Sequence, residues 1–229
     1  MAQIGYGYGS EFHLMRFLGH HRNLLENSIR NVLKANSNDC FEWIDFDFAK
    51  SPKIISGDKE IQGIKFIKAK FGIDNNISFL DYPWERSQSW DAVFKLGSTV
   101  YFVEAKAHIK ELKSSGCKAS NESRILSFMK KSMINYPTVQ VNDKWLGDYY
   151  QLANRLSTVC YLNNLISNIH FEVFYIFFEN GYYGANSDKN EFQEAIKEEK
   201  KTLGILGNKS IEELIHEMFI DARTGSLHV

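Results

Sequence analysis

Apolar positions along this chain fall into segments with two different periods. Between residues 11 and 33, Leu14, Leu18, Leu25, Ile29 and Val32 share one face at helical spacing, with Ser10 placed to cap, so one first helix is expected. Residues 41–48 read as a strand, whereas 61–71 fit helix and strand equally well. Residues 149–166 form an amphipathic helix with Leu152, Leu156, Val159 and Ile166 inward, and 171–178 are nearly all apolar, as in a strand covered on both faces. A polar connection from 110 to about 144 holds at least one short helix, and charged helices near 191–201 and 211–219 close the chain.

The segment between the first strand and the polar connection carries the most information. Ser89-Trp90-Asp91-Ala92-Val93-Phe94 is followed by Gly97-Ser98 and then by Val100-Tyr101-Phe102-Val103-Glu104-Ala105-Lys106. A Gly-first pair is typical of a type II′ hairpin turn, which pairs 96 with 99 and therefore 91 with 104. Directly opposed residues have Cβ atoms roughly 4.5–5.5 Å apart. Glu104 and Lys106 share a strand face about 6.5–7 Å apart, while Val103 and Ala105 point the other way. Two carboxylates and an ammonium thus converge on one patch.

Two ionised carboxylates that close repel, so one holds a proton or both share a cation. Mg²⁺ needs only one or two protein carboxylates, keeps several waters, and takes its other contacts from a phosphate. Such a site polarises a phosphoryl group and lowers the pKa of a bound water, and a lysine nearby orients that water or steadies developing charge. The bland alternative is a solvated sheet face with a surface salt bridge worth about 0–1 kcal/mol. The apolar residues around the charges favour burial.

Asp91 followed by Glu104-Ala105-Lys106 on adjacent strands resembles the PD-(D/E)XK nuclease superfamily, although Trp90 stands where the pattern has proline. Gly9-Ser10-Glu11, Trp90-Asp91-Ala92, Val103-Glu104-Ala105-Lys106-Ala107-His108 and Tyr150-Gln151-Leu152-Ala153-Asn154-Arg155-Leu156 are similar to a group of PD-(D/E)XK-like proteins without an assigned substrate. The resemblance implies an α/β fold with a restriction-endonuclease-like α/β/α core, its central mixed sheet of about four to five strands flanked by helices. It implies a Mg²⁺-dependent nuclease, with Mn²⁺ as a substitute ion and DNA as the expected polymer. Asp91, Glu104 and the carbonyl of Ala105 would hold the metal, and Lys106 would assist the water. Glu11, which shares the apolar direction of the first helix, would add an acid, and Gln151 would support the site. Arg155, His108 and Lys118 are expected substrate contacts. A homodimer is an analogy with two-site endonucleases of this fold.

Composition narrows the setting. At 229 residues and 44% hydrophobic, residues 1–229 suit one domain with a continuous core. A net charge of −1 leaves no global basic field, so nucleic-acid contact must come from a local patch such as Lys110, Lys113, Lys118, Arg124, Lys130 and Lys131. Cys40, Cys117 and Cys160 form neither a C-x-x-C pair nor an even set, which argues against disulfides and zinc. With no leader pattern and no membrane-length apolar run, a cytoplasmic protein is expected. Asp45/Asp47 and His20-His21 lack a third ligand. Two other readings stay open: a non-catalytic nucleic-acid or protein adaptor, and a small-molecule enzyme with its site near Gly5-Tyr6-Gly7-Tyr8-Gly9.

Overall fold

A computed structural model describes residues 9–44, 60–85, 87–182 and 186–228. Asp45, Asp47, the end of the expected 41–48 strand and most of the glycine/tyrosine-rich opening lie outside them.

The first apolar stripe folds as two helices, α1 (Ser10–His20) and α2 (Arg22–Leu33), instead of one. His21 breaks the run at φ −127°, ψ 29°, and Arg22 Nε donates to the carbonyl of Leu18. Gly9, not Ser10, is the N-cap residue of α1. Bending the chain there lets Leu14, Phe17 and Leu18 pack in the same core as Leu25 and Ile29.

Strands β1 (Phe41–Ile44), β4 (Ala92–Leu96), β5 (Thr99–Lys106), β6 (His170–Glu179), β7 (Ile215–Asp221) and β8 (Leu227–His228) form one mixed sheet in that spatial order. A two-stranded ribbon of β2 (Ile61–Gln62) and β3 (Ser89–Trp90) stands beside it. The pairs β5–β6 and β6–β7 are parallel, and the remaining pairs of the sheet are antiparallel. The main sheet therefore has six strands, more than the four to five expected.

The added strand β7 is the larger correction. Ile211, Leu214, Ile215 and Met218 mimic a helical stripe, yet helix α7 covers only Lys209–Glu212, and the chain then runs parallel to β6. The exposed side of β6 supplies a long hydrogen-bonding edge, and tertiary pairing overrides the local pattern. The ambiguous 61–71 segment resolves into β2 followed by α3 (Phe66–Phe71).

Side chains of β5 and β6 alternate between two cores. Tyr101, Val103, Ala105, Phe174 and Ile176 join α1 and α2 on one face. Val100, Phe102, Val173 and Phe177 join the other face, which α4 (Glu122–Ser132), α5 (Tyr150–Leu165) and α6 (Lys189–Thr202) cover. By this alternation Glu104 and Lys106 face α5, at the C-terminal end of β5. Helix α5 is buried around most of its circumference, Asn154, Arg155, Ser157 and Thr158 included, so its polar flank is interior and not solvated.

Among the described residues the three cysteines are free, and no helix is long and apolar enough to cross a membrane.

Candidate functional site

The hairpin turn sets the register. Leu96 pairs with Thr99 and Ala92 with Val103, as the sequence predicts, which brings Asp91 opposite Glu104. Gly97 has φ 61° while Ser98 keeps a negative φ, the pattern of a Gly-first II′ turn and not of type I′.

At Asp91 the chain leaves the ladder. Continued register would set Trp90 opposite Ala105, but Trp90 pairs with Ile61 in the ribbon. The N–H of Ala105 is satisfied by Asp91 Oδ2 at 2.7 Å. In an extended strand one residue's N–H and C=O project to the same side, so the Ala105 carbonyl faces the same edge as Asp91. Trp90 anchors this departure: its indole N–H donates to the Gly63 carbonyl at 2.8 Å, and its ring lies 4.2 Å from that of Phe102. Gly63 has φ 62°, and a Cβ there would meet Glu85 at 2.6 Å.

Glu104 is 1% exposed and fully engaged. Its Oε1 accepts from Lys106 Nζ at 2.6 Å and from Gln151 Nε2 at 2.5 Å, and its Oε2 accepts from Arg155 Nε at 2.8 Å. Lys106 also donates to Gln151 Oε1 at 2.8 Å. Burial pushes the Glu104 carboxyl up, but Arg155 and Lys106 outweigh it and hold the group below its ordinary value. Asp91 has the opposite balance: burial and the neighbouring Glu104 push it up to about 8 despite Lys106 and the Ala105 N–H. Its second oxygen accepts no hydrogen bond among the described residues.

Arg155 is held in turn. Its Nη1 donates to Asn154 Oδ1 and its Nη2 to the Ser89 carbonyl, both at 2.8 Å, and its guanidinium lies 5.1 Å from the centre of the Trp90 ring. Asn154 Oδ1 also accepts from Gln88 Nε2 at 2.9 Å, and Gln88 Oε1 accepts from Tyr82 and Thr158. This buried network ties the ribbon to α5 and fixes the position of Glu104.

The structure thus brings together Asp91, Glu104, Ala105, Lys106, Gln151 and Arg155. The others sit differently. Glu11 stands in the first turn of α1, whose core residues Leu14, Phe17 and Leu18 pack on the opposite face of the sheet; its carboxyl is raised by burial and by Glu60, the acid that also acts on Asp91. His108 lies beyond β5, which ends at Lys106, so it does not continue the strand face. Its Nδ1 instead accepts the Lys110 N–H and caps the 3-10 turn Ile109–Leu112. Lys118 is exposed in the following loop.

Two acids escaped sequence reading. Carrying the β2–β3 register one residue further sets Glu60 opposite Asp91, which it acts on electrostatically. It was hidden because 61–71 had no clear period. Glu199 lies on α6, 1% exposed, with both carboxyl oxygens unpartnered among the described residues. Its one signal in the sequence is its place in the stripe Phe192, Ile196, Glu199.

Among the described residues, no three His, Cys, Asp or Glu side chains are arranged to hold a metal ion. The donor set nevertheless fits Mg²⁺, which needs only one or two carboxylates. Asp91 has an oxygen that accepts no hydrogen bond among the described residues, burial and Glu104 favour its protonated form so that a bound cation would displace that proton, and Glu104 and the Ala105 carbonyl are oxygen donors beside it. No family model, curated protein or solved structure matches this chain.

Proposed function

We propose that this chain is a Mg²⁺-dependent nuclease of the PD-(D/E)XK type, hydrolysing phosphodiester bonds, with DNA as the first substrate to test. The observation that carries the reading is the convergence of Asp91, Glu104 and Lys106 at one end of β5, braced by Gln151 and Arg155 from α5. The near-complete burial of Glu104 and Lys106 argues against a solvated, merely salt-bridged hairpin, because buried charges are costly and persist where they are paired for a purpose. A mixed sheet layered between helices supports a restriction-endonuclease-like core.

Asp91, Glu104 and the Ala105 carbonyl would hold the ion, which when bound supplies polarisation of a phosphoryl oxygen and a more acidic water. Lys106 orients the attacking water and donates to developing negative charge. Arg155 keeps Glu104 ionised and therefore ready as an oxygen donor. Gln151 holds Lys106 and Glu104 in register with each other. Exposed Lys110, Lys113 and Lys118 follow the end of β5 and would track the phosphate backbone.

One observation favours a second reading, a nucleic-acid or protein adaptor: Glu104 already takes three internal donors. Incubation with labelled single- and double-stranded DNA and RNA, in Mg²⁺ or Mn²⁺, separates the two. The nuclease reading expects cleavage by the wild type and its loss in E104Q, with K106M slowed about a hundredfold or more. A fully active E104Q protein contradicts it, and cation binding with no cleavage of any polymer favours the adaptor.

A further inference from the structure

A cavity of about 530 Å³ lies between the start of α3 and the loop that follows it, with Lys65, Lys68, Ser78, Leu80, Tyr82 and Glu85 in its wall. That volume is within the range of ligand pockets. The cleavage chemistry proposed above makes no use of it.

Its two lysines outnumber its one acid. Glu85 is committed to the backbone, where its two oxygens accept the N–H groups of Ile64 and Lys65, both at 3.3 Å. Lys68 donates to the carbonyls of Asn75, at 3.0 Å, and Ile77, and stands 5.0 Å from the centre of the Phe79 ring. An ammonium has three donors, so one remains. Lys65 is exposed, and neither lysine is ion-paired among the described residues.

Leu80 is the apolar part of the wall. At 88% exposed it is the most exposed large apolar side chain among the described residues. Isolated surface leucines are common. This one projects from a loop that is pinned on both sides: Lys68 holds residues 75 and 77, and the Tyr161 hydroxyl donates to the Ser78 carbonyl at 3.3 Å. Phe79, next to it, is buried, and the Leu80 N–H donates to Ser78 Oγ at 3.4 Å.

Unpaired ammoniums take phosphate, whereas a leucine held out of a fixed loop takes an apolar face, as wedge residues do between bases. Asn75 and Asn76 also line the cavity, and an amide both donates to and accepts from a base edge. Anion, flat apolar body and polar edge together describe a nucleotide. The cavity also stands on the ribbon that carries Asp91. Glu85 lies against Gly63, whose carbonyl accepts the indole N–H of Trp90. The Tyr82 hydroxyl donates to Gln88, the first member of the network that reaches Arg155 and Glu104.

The geometry points to this cavity as a subsite for one unpaired nucleotide of a nucleic-acid strand, its phosphate on Lys65 and Lys68 and its base against Leu80. The strand so held is the substrate of the nuclease proposed above, on which this inference rests.

The test measures binding of a mixed-sequence single-stranded oligonucleotide, DNA and then RNA, in EDTA, so that no cleavage intervenes. In protein with ¹³C-methyl leucine, the Leu80 signal, assigned by its absence in L80A, shifts when the oligonucleotide is added. L80A binds about tenfold more weakly. K65Q lowers the slope of log affinity against log salt by about 0.7, the share of one phosphate on a single strand. Both side chains are exposed, and circular dichroism confirms that the variants fold. A still Leu80 signal, or affinity and slope unchanged in the variants, overturns this inference alone while wild type cleaves. An equal Leu80 shift with a free nucleoside monophosphate assigns the cavity to a small ligand and overturns the strand assignment. A shift with anionic phospholipid vesicles and none with the oligonucleotides overturns it in favour of a membrane surface. Nucleic acid neither bound nor cut overturns both this inference and the nuclease reading.

Discussion

Asp91 accepts the backbone N–H of Ala105 at 2.7 Å, so a side-chain carboxyl group stands in for the strand partner the sheet would have supplied. The bond does two things at once: it satisfies a buried ladder donor and fixes a second carboxyl group beside Glu104. Asparagine keeps an acceptor there and leucine does not. D91L is therefore expected to lose about 1–3 kcal/mol of stability through the unpaired N–H, while D91N stays near or above wild type. Urea unfolding measures both; equal losses in the two variants would show that the Ala105 bond is not what Asp91 contributes to the fold.

Glu104 and Arg155 form a pair whose side chains are 2% and 8% exposed. Removing one partner of such a pair leaves a buried charge, and R155L is expected to cost about 3–5 kcal/mol. E104Q combined with R155L should cost less than the sum of the single changes by at least about 1 kcal/mol. A double-mutant cycle that comes out additive would remove the claim that Arg155 exists to hold Glu104.

Glu199 makes stability depend on pH. Its ordinary value is 4.5 and burial raises it to about 8 in the folded protein. Between those values the folded chain keeps a proton that the unfolded chain has lost, so stability falls as pH rises through the window and the loss is complete above it. E199Q lacks this dependence and should gain on wild type by about 1–3 kcal/mol from pH 5 to pH 8. Thermal unfolding at both pH values checks it, and a constant difference would mean that Glu199 ionises freely.

Gly97 holds φ 61° in open space, with nothing within 4 Å of where a Cβ would stand. Its substitution thus tests backbone conformation alone. G97A should cost about 1–2 kcal/mol, and asparagine, which enters left-handed conformations more readily, should cost less. Equal tolerance of both, measured by urea unfolding, would speak against a turn that sets the 91–104 register.

The centre of the site was legible because it is local. The turn Gly97-Ser98 fixes the pairing, and the period of two places Glu104 and Lys106 on one face with no knowledge of the rest of the fold. Gln151 and Arg155 became visible through the α5 stripe and the family resemblance. What stayed hidden depends on distant pairing. Glu60 meets Asp91 only through a two-residue strand, β2, too short to have a period. Residues 211–219 read as a helix until the long open edge of β6 is known. Glu199 looked like one charge among many on α6, since only packing decides which side of that helix is buried. His108 lies off the strand face of Lys106 for a simpler reason, the end of β5 two residues earlier.

The most direct test of the central claim is calorimetric titration of Mg²⁺ or Mn²⁺ into wild type, D91N and E104Q, with folding matched by circular dichroism. The account predicts that wild type binds one ion at a shared carboxylate site and that both variants lose it. Absence of binding in wild type, even with an oligonucleotide present, or undiminished binding in both variants, would contradict the assignment of Asp91 and Glu104 as a metal centre.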